Sequence, residues 1–493
     1  MHSVTSVLLF VASASALLLT SQAGAIQFEA VDPERLSAAA TFANAWADFD
    51  GDGDLDLFVG MNGAPNRLYR NDKGTLNDVA AKAGVADARA TRAAAWADAD
   101  GDGDPDLLVG FTPGAGPVLK LYRNDRGTFV DATELAGLKV DAGAVRQLAW
   151  VDVDSDFDLD LFVAFRDRPN ALFVSANSRL IDVAASVGLA DPRRSVGASW
   201  FDYDEDGDLD LSVANMDGDA NGLFRNDKGK FTDVAKEAGA AGLGREPGVA
   251  ANGTVRPCAV DINNDGHLDL VGANYGSVGL LLNRGGGKFE DVSAAWKIAI
   301  DARYDTCAPA DVDHDGKIDL YINGTVTGGQ SYRDYLFRNV GMAFQDATPD
   351  VIRKLNADHG AAWADFDDDG DLDLALTGVG TEAMPLLFRN LLPAQLAPRS
   401  IFVRVIDGRG RATMAGAEVR IYEPGTRKLI GTRLVDSGSG YNTQDSAPVH
   451  FGLPTLDPIE IEVTWPANGR RLTPLSRIVT PQVSRLVTVV VMK

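Results

Sequence analysis

One acidic stretch, Asp48-Phe49-Asp50-Gly51-Asp52-Gly53-Asp54-Leu55-Asp56-Leu57, limits what this chain can become, because it sets five carboxylates within nine residues and runs straight into apolar sequence. Carboxylates that close repel one another unless a cation lies among them. A hard divalent ion takes six to eight oxygens at ~2.3–2.6 Å, and calcium suits this donor set. Asp48, Asp50, Asp52 and Asp56 are expected to offer side-chain oxygens and residue 54 its backbone carbonyl, while Gly53 permits the sharp turn.

The unit recurs, with copies starting at Asp98, Asp152, Asp202, Asp261, Asp311 and Asp365. Successive starts are 50, 54, 50, 59, 50 and 54 residues apart, the size of a four-stranded propeller blade. The corresponding candidate ligands in copies two to four are Asp98, Asp100, Asp102, Asp104 and Asp106; Asp152, Asp154, Asp156, Asp158 and Asp160; and Asp202, Asp204, Asp206, Asp208 and Asp210. In copies five to seven they are Asp261, Asn263, Asp265, His267 and Asp269; Asp311, Asp313, Asp315, Lys317 and Asp319; and Asp365, Asp367, Asp369, Asp371 and Asp373. Residues at place seven (54, 104, 158, 208, 267, 317 and 371) are assigned their backbone carbonyls only. His267, Lys317 and His314 are therefore expected to point to solvent. Phe157 stands where the other copies have Gly, a place that calls for a left-handed backbone, so the third loop is expected to bind more weakly.

An EF-hand begins in the same way but needs a bidentate Glu at place twelve and flanking helices. Place twelve here is Val59, Val109, Val163, Val213, Gly272, Ile322 or Leu376, none of which can ligate. Short runs rich in strand formers flank each loop, so the loop joins two β-strands. On these residues the chain resembles the FG-GAP/VCBS repeats, whose calcium-loaded hairpins are similar to those of the integrin α-subunit propeller. That resemblance implies an all-β, seven-bladed propeller holding up to seven structural Ca²⁺ ions.

A fourth-strand pattern such as Thr75-Leu76-Asn77-Asp78-Val79 occurs six times for seven loops, and Ile26-Gln27-Phe28-Glu29-Ala30-Val31 matches it without a blade of its own. This segment is expected to complete the last blade, leaving no open sheet edge. A Trp stands two residues before five of the loops (Trp46, Trp96, Trp150, Trp200 and Trp363), read as packing between blades. In the fifth and sixth copies Ala259 and Pro309 take that place, and these copies carry the two cysteines, Cys258 and Cys307. The cysteines are expected either to bridge adjacent inner strands, which an oxidising compartment favours, or to remain two buried thiols.

Residues 393–399 read as a Pro-containing linker, and 400–493 as alternating strands without Asp loops, a small β-sandwich. Gly416-Ala417-Glu418-Val419, Gly440-Tyr441-Asn442-Thr443-Gln444, His450-Phe451-Gly452-Leu453 and Val463-Thr464-Trp465-Pro466 resemble the ASPIC/UnbV domain, with Pro454 departing from it. The pairing of the two parts resembles the cartilage acidic protein family and its bacterial relatives. It implies a secreted calcium-binding protein with no assigned reaction.

Thirty-two of the 70 acidic residues occupy the candidate ligand places of the loops, and seven Ca²⁺ would bring the formal charge of −24 to −10. No basic patch suggests nucleic acid. Residues 1–25, with an apolar run from Val7 to Thr20 and the small residues Ala23-Gly24-Ala25, read as a signal peptide, which places the chain outside the cell, or in the periplasm of a bacterium. After its removal no later stretch is long enough to span a bilayer. The five His are scattered, no nucleophile elbow is present, and no catalytic constellation emerges. His359, before the last inner strand, is read as a structural residue. Two functions follow: an extracellular binding, adhesion or scaffold protein for protein or glycan partners, or a secreted polysaccharide lyase or hydrolase with structural calcium.

Overall fold

The computed structural model describes residues 25–177, 179–355, 358–436, 438, 441–445, 448–473 and 477–492. Of the residues read as a signal peptide, 1–24 lie outside the described residues. No helix among them is long and apolar enough to cross a membrane.

Residues 28–390 form seven four-stranded antiparallel units, the fifth and sixth of which are joined into one eight-stranded sheet where Tyr275 and Ser277 lie opposite Arg303 and Asp301. Each begins with an innermost strand: β1 (Thr41–Ala47), β2 (Thr91–Ala97), β3 (Val145–Val151), β4 (Ser195–Phe201), β5 (Gly253–Val260), β6 (Asp301–Ala310) and β7 (Asp358–Ala364). Each runs into an Asp loop, and the second strand leaves as a wholly buried run such as Asp56–Met61. Sheets covered on both faces by their neighbours account for that continuous burial. The innermost strands touch in cyclic order from β1 to β7 and back to β1. At the seam Gly378 donates its N–H to Thr41 Oγ1 at 2.7 Å, and Asn44 Nδ2 donates to Ala375 O. Phe28–Ala30 forms the outer strand of the last blade, Phe28 opposite Asn390 and Ala30 opposite Phe388.

The five Trp are buried between blades, Trp96 against Phe49 and Phe129 and Trp363 against Tyr321 and Phe28. Cys258 on β5 and Cys307 on β6 are joined by a disulfide, with Cα atoms 6.3 Å apart. The bridge lies in a core that includes Val271, Leu280, Tyr304 and Ile322. Replacing both cysteines with Ser is expected to cost about 2–4 kcal/mol, since the bridge closes a loop of roughly 50 residues. Denaturant melts of the variant and of the reduced wild type check this, and unchanged midpoints in both would refute it.

Each innermost strand also carries a one-residue register shift near its start, which leaves Phe42, Arg92, Arg146, Val196, Val255, Asp305 and His359 unpaired with the second strand. Bulges of this kind re-aim a side chain.

The C-terminal part packs a three-stranded sheet (Val449–Gly452, Ser400–Asp407, Leu486–Val491) and a second sheet centred on Glu418–Tyr422 and Ile459–Pro466 around Val403, Val419, Ile421, Phe451 and Ile461. It packs over the third to seventh Asp loops of the ring. Arg411 reaches Asp158, Arg471 reaches Glu205, Arg420 donates to Gly266 O, and Arg485 reaches Asp368. From this domain Asn442–Asp445 enters the channel, where Thr443 and Gln444 pair in parallel with Asn44 and Ala45 of β1. Gln444 accepts from Trp96 N at 2.6 Å and donates to Trp96 O, while Asp445 Oδ1 accepts from Trp363 N at 2.7 Å. A Cβ on Gly360 would lie 2.5 Å from Thr443 Cγ2, so glycine is required for this close approach. The C-terminal domain thus enters the channel from the loop side and bonds to three of its innermost strands.

Candidate metal centres

The loops are shaped by their own hydrogen bonds. Asp48 Oδ1 accepts from the N–H groups of Gly51 and Asp52, and its Oδ2 from Gly53 N. The first Asp of the third to seventh loops accepts likewise from places five and six, as Asp202 does from Asp206 N and Gly207 N. Such turns need no ion. Two further observations do bear on a cation. Carboxylate oxygens of Asp48, Asp50 and Asp56 converge within 4.8 Å, as do those of Asp98, Asp100 and Asp106, Asp152, Asp154 and Asp160, Asp202, Asp204 and Asp206, and Asp311, Asp313 and Asp315. Moreover Asp50 Oδ1, Asp98 Oδ1 and Asp367 Oδ1 are buried without a hydrogen-bond partner. Buried carboxylate oxygens left so are costly, and a hard cation bound among them removes that cost. The donor set therefore fits calcium.

The ninth Asp of each loop has a second task that the sequence did not suggest. Asp56 Oδ2 accepts from Phe49 N at 3.0 Å and Oδ1 from Asn71 N at 2.8 Å, tying the loop to the third strand. Asp106, Asp160, Asp210, Asp269, Asp319 and Asp373 each make the equivalent pair of bonds. Burial pushes these carboxyls up, to about 8 at Asp56, Asp160 and Asp269, against the pull of the two donating amides. A bound cation acts in the opposite direction and holds them ionised. The Asn at the end of the third strand links blades: Asn71 Nδ2 donates to Phe366 O, and Asn124 Nδ2 to Phe49 O of the preceding blade. Its only sequence signal is the repeated Arg-Asn dipeptide.

Place seven is not uniform. Asp54 Oδ2 and Asp104 Oδ2 accept from Lys73 N and Arg126 N, which turns these side chains toward the next hairpin. Asp371 differs: its carboxyl is buried and is pushed up to about 8 by burial and by Asp369, Asp365 and Asp367, against the pull of the Leu392 amide. Here the side chain, and not only the carbonyl, faces the cluster.

Three expectations need correction. His314 is buried, with Nδ1 3.0 Å from Leu396 O and its ring 5.2 Å from that of His450, because the linker and C-terminal domain cover the sixth loop. Lys317 folds back to put Nζ 2.7 Å from Asp315 Oδ2, a residue assigned to the metal. His267 is only half-exposed and lies 3.0 Å from Glu205 Oε1 of the neighbouring loop. Asn263 Nδ2 likewise donates to Asp265 Oδ2. Phe157 does take the left-handed backbone, at φ +72°, and its ring packs on the core of the C-terminal domain.

Residues 48–109 and 261–322 match the FG-GAP-like repeat, and residues 408–487 match the ASPIC and UnbV family. The chain thus carries FG-GAP repeats followed by an ASPIC and UnbV domain. Cartilage acidic protein 1 of Xenopus tropicalis is 30% identical over 262 residues, 50% of this chain and 38% of that protein. The human protein of that name is 28% identical over 303 residues, 58% of this chain and 43% of its own length. The chain spans less than half the length of the curated relatives it matches. Among solved structures, an Agrocybe aegerita lectin with specific recognition of non-reducing terminal N-acetylglucosamine is 16% identical, with a TM-score of 0.38, covering 81% of this chain and 91% of the lectin.

Proposed function

We propose that this chain is an extracellular, calcium-loaded β-propeller that acts as a binding or scaffold protein for a protein or glycan partner and is not an enzyme. The observation that carries the reading is the convergence of three carboxylates within 4.8 Å in loop after loop, with buried oxygens that lack partners. Asp residues at places one, three, five and nine would hold the ions, which supply positive charge and rigidity to the loop rim. That rim also seats the C-terminal domain, so calcium stiffens both the blades and their junction with it. Cartilage acidic protein relatives, the disulfide and the apolar leader support a place outside the cell. The rim opposite the Asp loops carries the turns between second and third strands and is the face left for a partner.

Elemental analysis of protein dialysed against dilute calcium is expected to find five to seven equivalents per chain, one for each convergent loop. Retention of less than one would overturn the proposal. A second reading, a polysaccharide lyase or hydrolase with structural calcium, draws on the approach of His359 Nδ1 to within 2.6 Å of Asp305 Oδ2 at the channel mouth. A polysaccharide-degradation screen on the same sample separates the two.

A further inference from the structure

The bulged residues at the start of the innermost strands meet around a side chain from the other domain. Tyr441 packs on Val196 and Val255, its ring lies 5.0 Å from that of His359, and Arg92 donates a hydrogen bond to its hydroxyl. The Arg92 guanidinium also sits 4.6 Å over the ring of Phe42. Tyr441 therefore forms the floor of the channel mouth on the side away from the Asp loops.

The charges around this floor do not balance. Arg92 and Arg146 occupy the bulge position of innermost strands on adjacent blades, Arg92 lies in the field of Arg146, and among the described residues neither forms an ion pair. Arg166 at the same mouth is already satisfied by Asp217 at 2.8 Å. Asp305, whose charge acts on both arginines, is engaged by His359 and by the Tyr275 hydroxyl, and Asp167 also acts on Arg146. His359 is only 5% exposed, and its Nε2 has no hydrogen-bond partner. Burial holds both guanidiniums down, Arg92 to about 9 with Arg146 adding to the effect, and Arg146 to about 10 with Arg166 adding to it. Two unpaired arginines facing each other are costly, and in a chain of net charge −24 they are not there by composition. Guanidinium groups are the side chains best shaped for planar, bidentate capture of an oxyanion.

We propose that this mouth is an oxyanion site, in which Arg92 and Arg146 hold a carboxylate, sulfate or phosphate group of an extracellular ligand and His359 Nε2 gains the partner it lacks. It deepens the binding reading above by giving the partner's chemistry: an acidic sugar or a sulfated or phosphorylated group in place of a neutral glycan. The site uses none of the Asp-loop residues. Its success or failure is therefore independent of the calcium assignment.

The test is isothermal titration of the full chain at low ionic strength, with and without calcium, using glucuronate, inorganic sulfate, inorganic phosphate and neutral glucose as probes. Binding of at least one anion, with glucose silent, is expected. Glucuronate alone points to a sugar acid, and sulfate or phosphate alone to an esterified group. Arg146→Ala is expected to weaken the bound anion by about tenfold or more, and Arg146→Lys by less, because a lysine cannot make the fork. Because Arg146 is held without an ion pair at a cost, Arg146→Ala is expected to melt no lower than the wild type; Arg92→Lys serves as the second variant should the midpoint fall. Silence of all three anions, glucose binding as well as glucuronate, or full affinity in both Arg146→Ala and Arg92→Lys would overturn the proposal. A silent calcium titration beside intact anion binding would sink the metal reading alone.

Discussion

Chelation of calcium is expected to lower the thermal midpoint by about 10–20 °C. A site held at a hundredfold excess over its Kd contributes about 2.7 kcal/mol, so seven such sites contribute roughly 19 kcal/mol. Unfolding entropy of about 2.1 cal/mol/K per residue converts each kcal/mol into roughly one degree for a chain of this length. The loss should be graded, because the loops differ in cover. Asp52 and Gly53 of the first loop are exposed, whereas Asp202, Asp261 and Asp311 lie beneath the C-terminal domain. Calorimetric scans in calcium and in chelator decide the matter, and superimposable curves would remove the metal from the account of stability.

Asp210→Ala is expected to cost roughly 2–6 kcal/mol in calcium and to remain destabilising in chelator, because it leaves two buried amides, Tyr203 N and Asn226 N, without acceptors at about 1–3 kcal/mol each. Asp50→Ala should behave differently. Asp50 Oδ1 has no hydrogen-bond partner to lose, so its cost should appear in calcium and largely vanish in chelator. Denaturant unfolding of both variants under the two conditions checks this. Equal losses for Asp210→Ala and Asp50→Ala in chelator would show that the ninth Asp is only a ligand.

The all-β, propeller-like class was readable because period-two strands, a fixed repeat length and a composition-defying run of Asp all point the same way. The Trp set was readable for the same reason, since a large apolar residue at a constant phase has to be covered. What escaped was set by long-range geometry. His314 looked solvent-facing only because nothing in its own loop predicts that His450 will arrive above it. The pairing of Asp56 with Asn71 N was hidden because a carboxylate that accepts amides and one that binds a metal are written with the same letter. Arg92, Arg146 and His359 sit in three different repeats, and only the bulge common to those strands turns them to one mouth.

Pairing of Phe28 with Asn390 has a consequence for biogenesis. The ring remains an unfinished arc until nearly four-fifths of the polypeptide has been made, and its opening strand waits with a bare backbone edge for a blade synthesised last. Until then that edge invites pairing with a neighbouring molecule, so yield should fall with expression rate well before any binding defect is seen. Moving the opening strand next to its partner by circular permutation would let the torus shut without the delay.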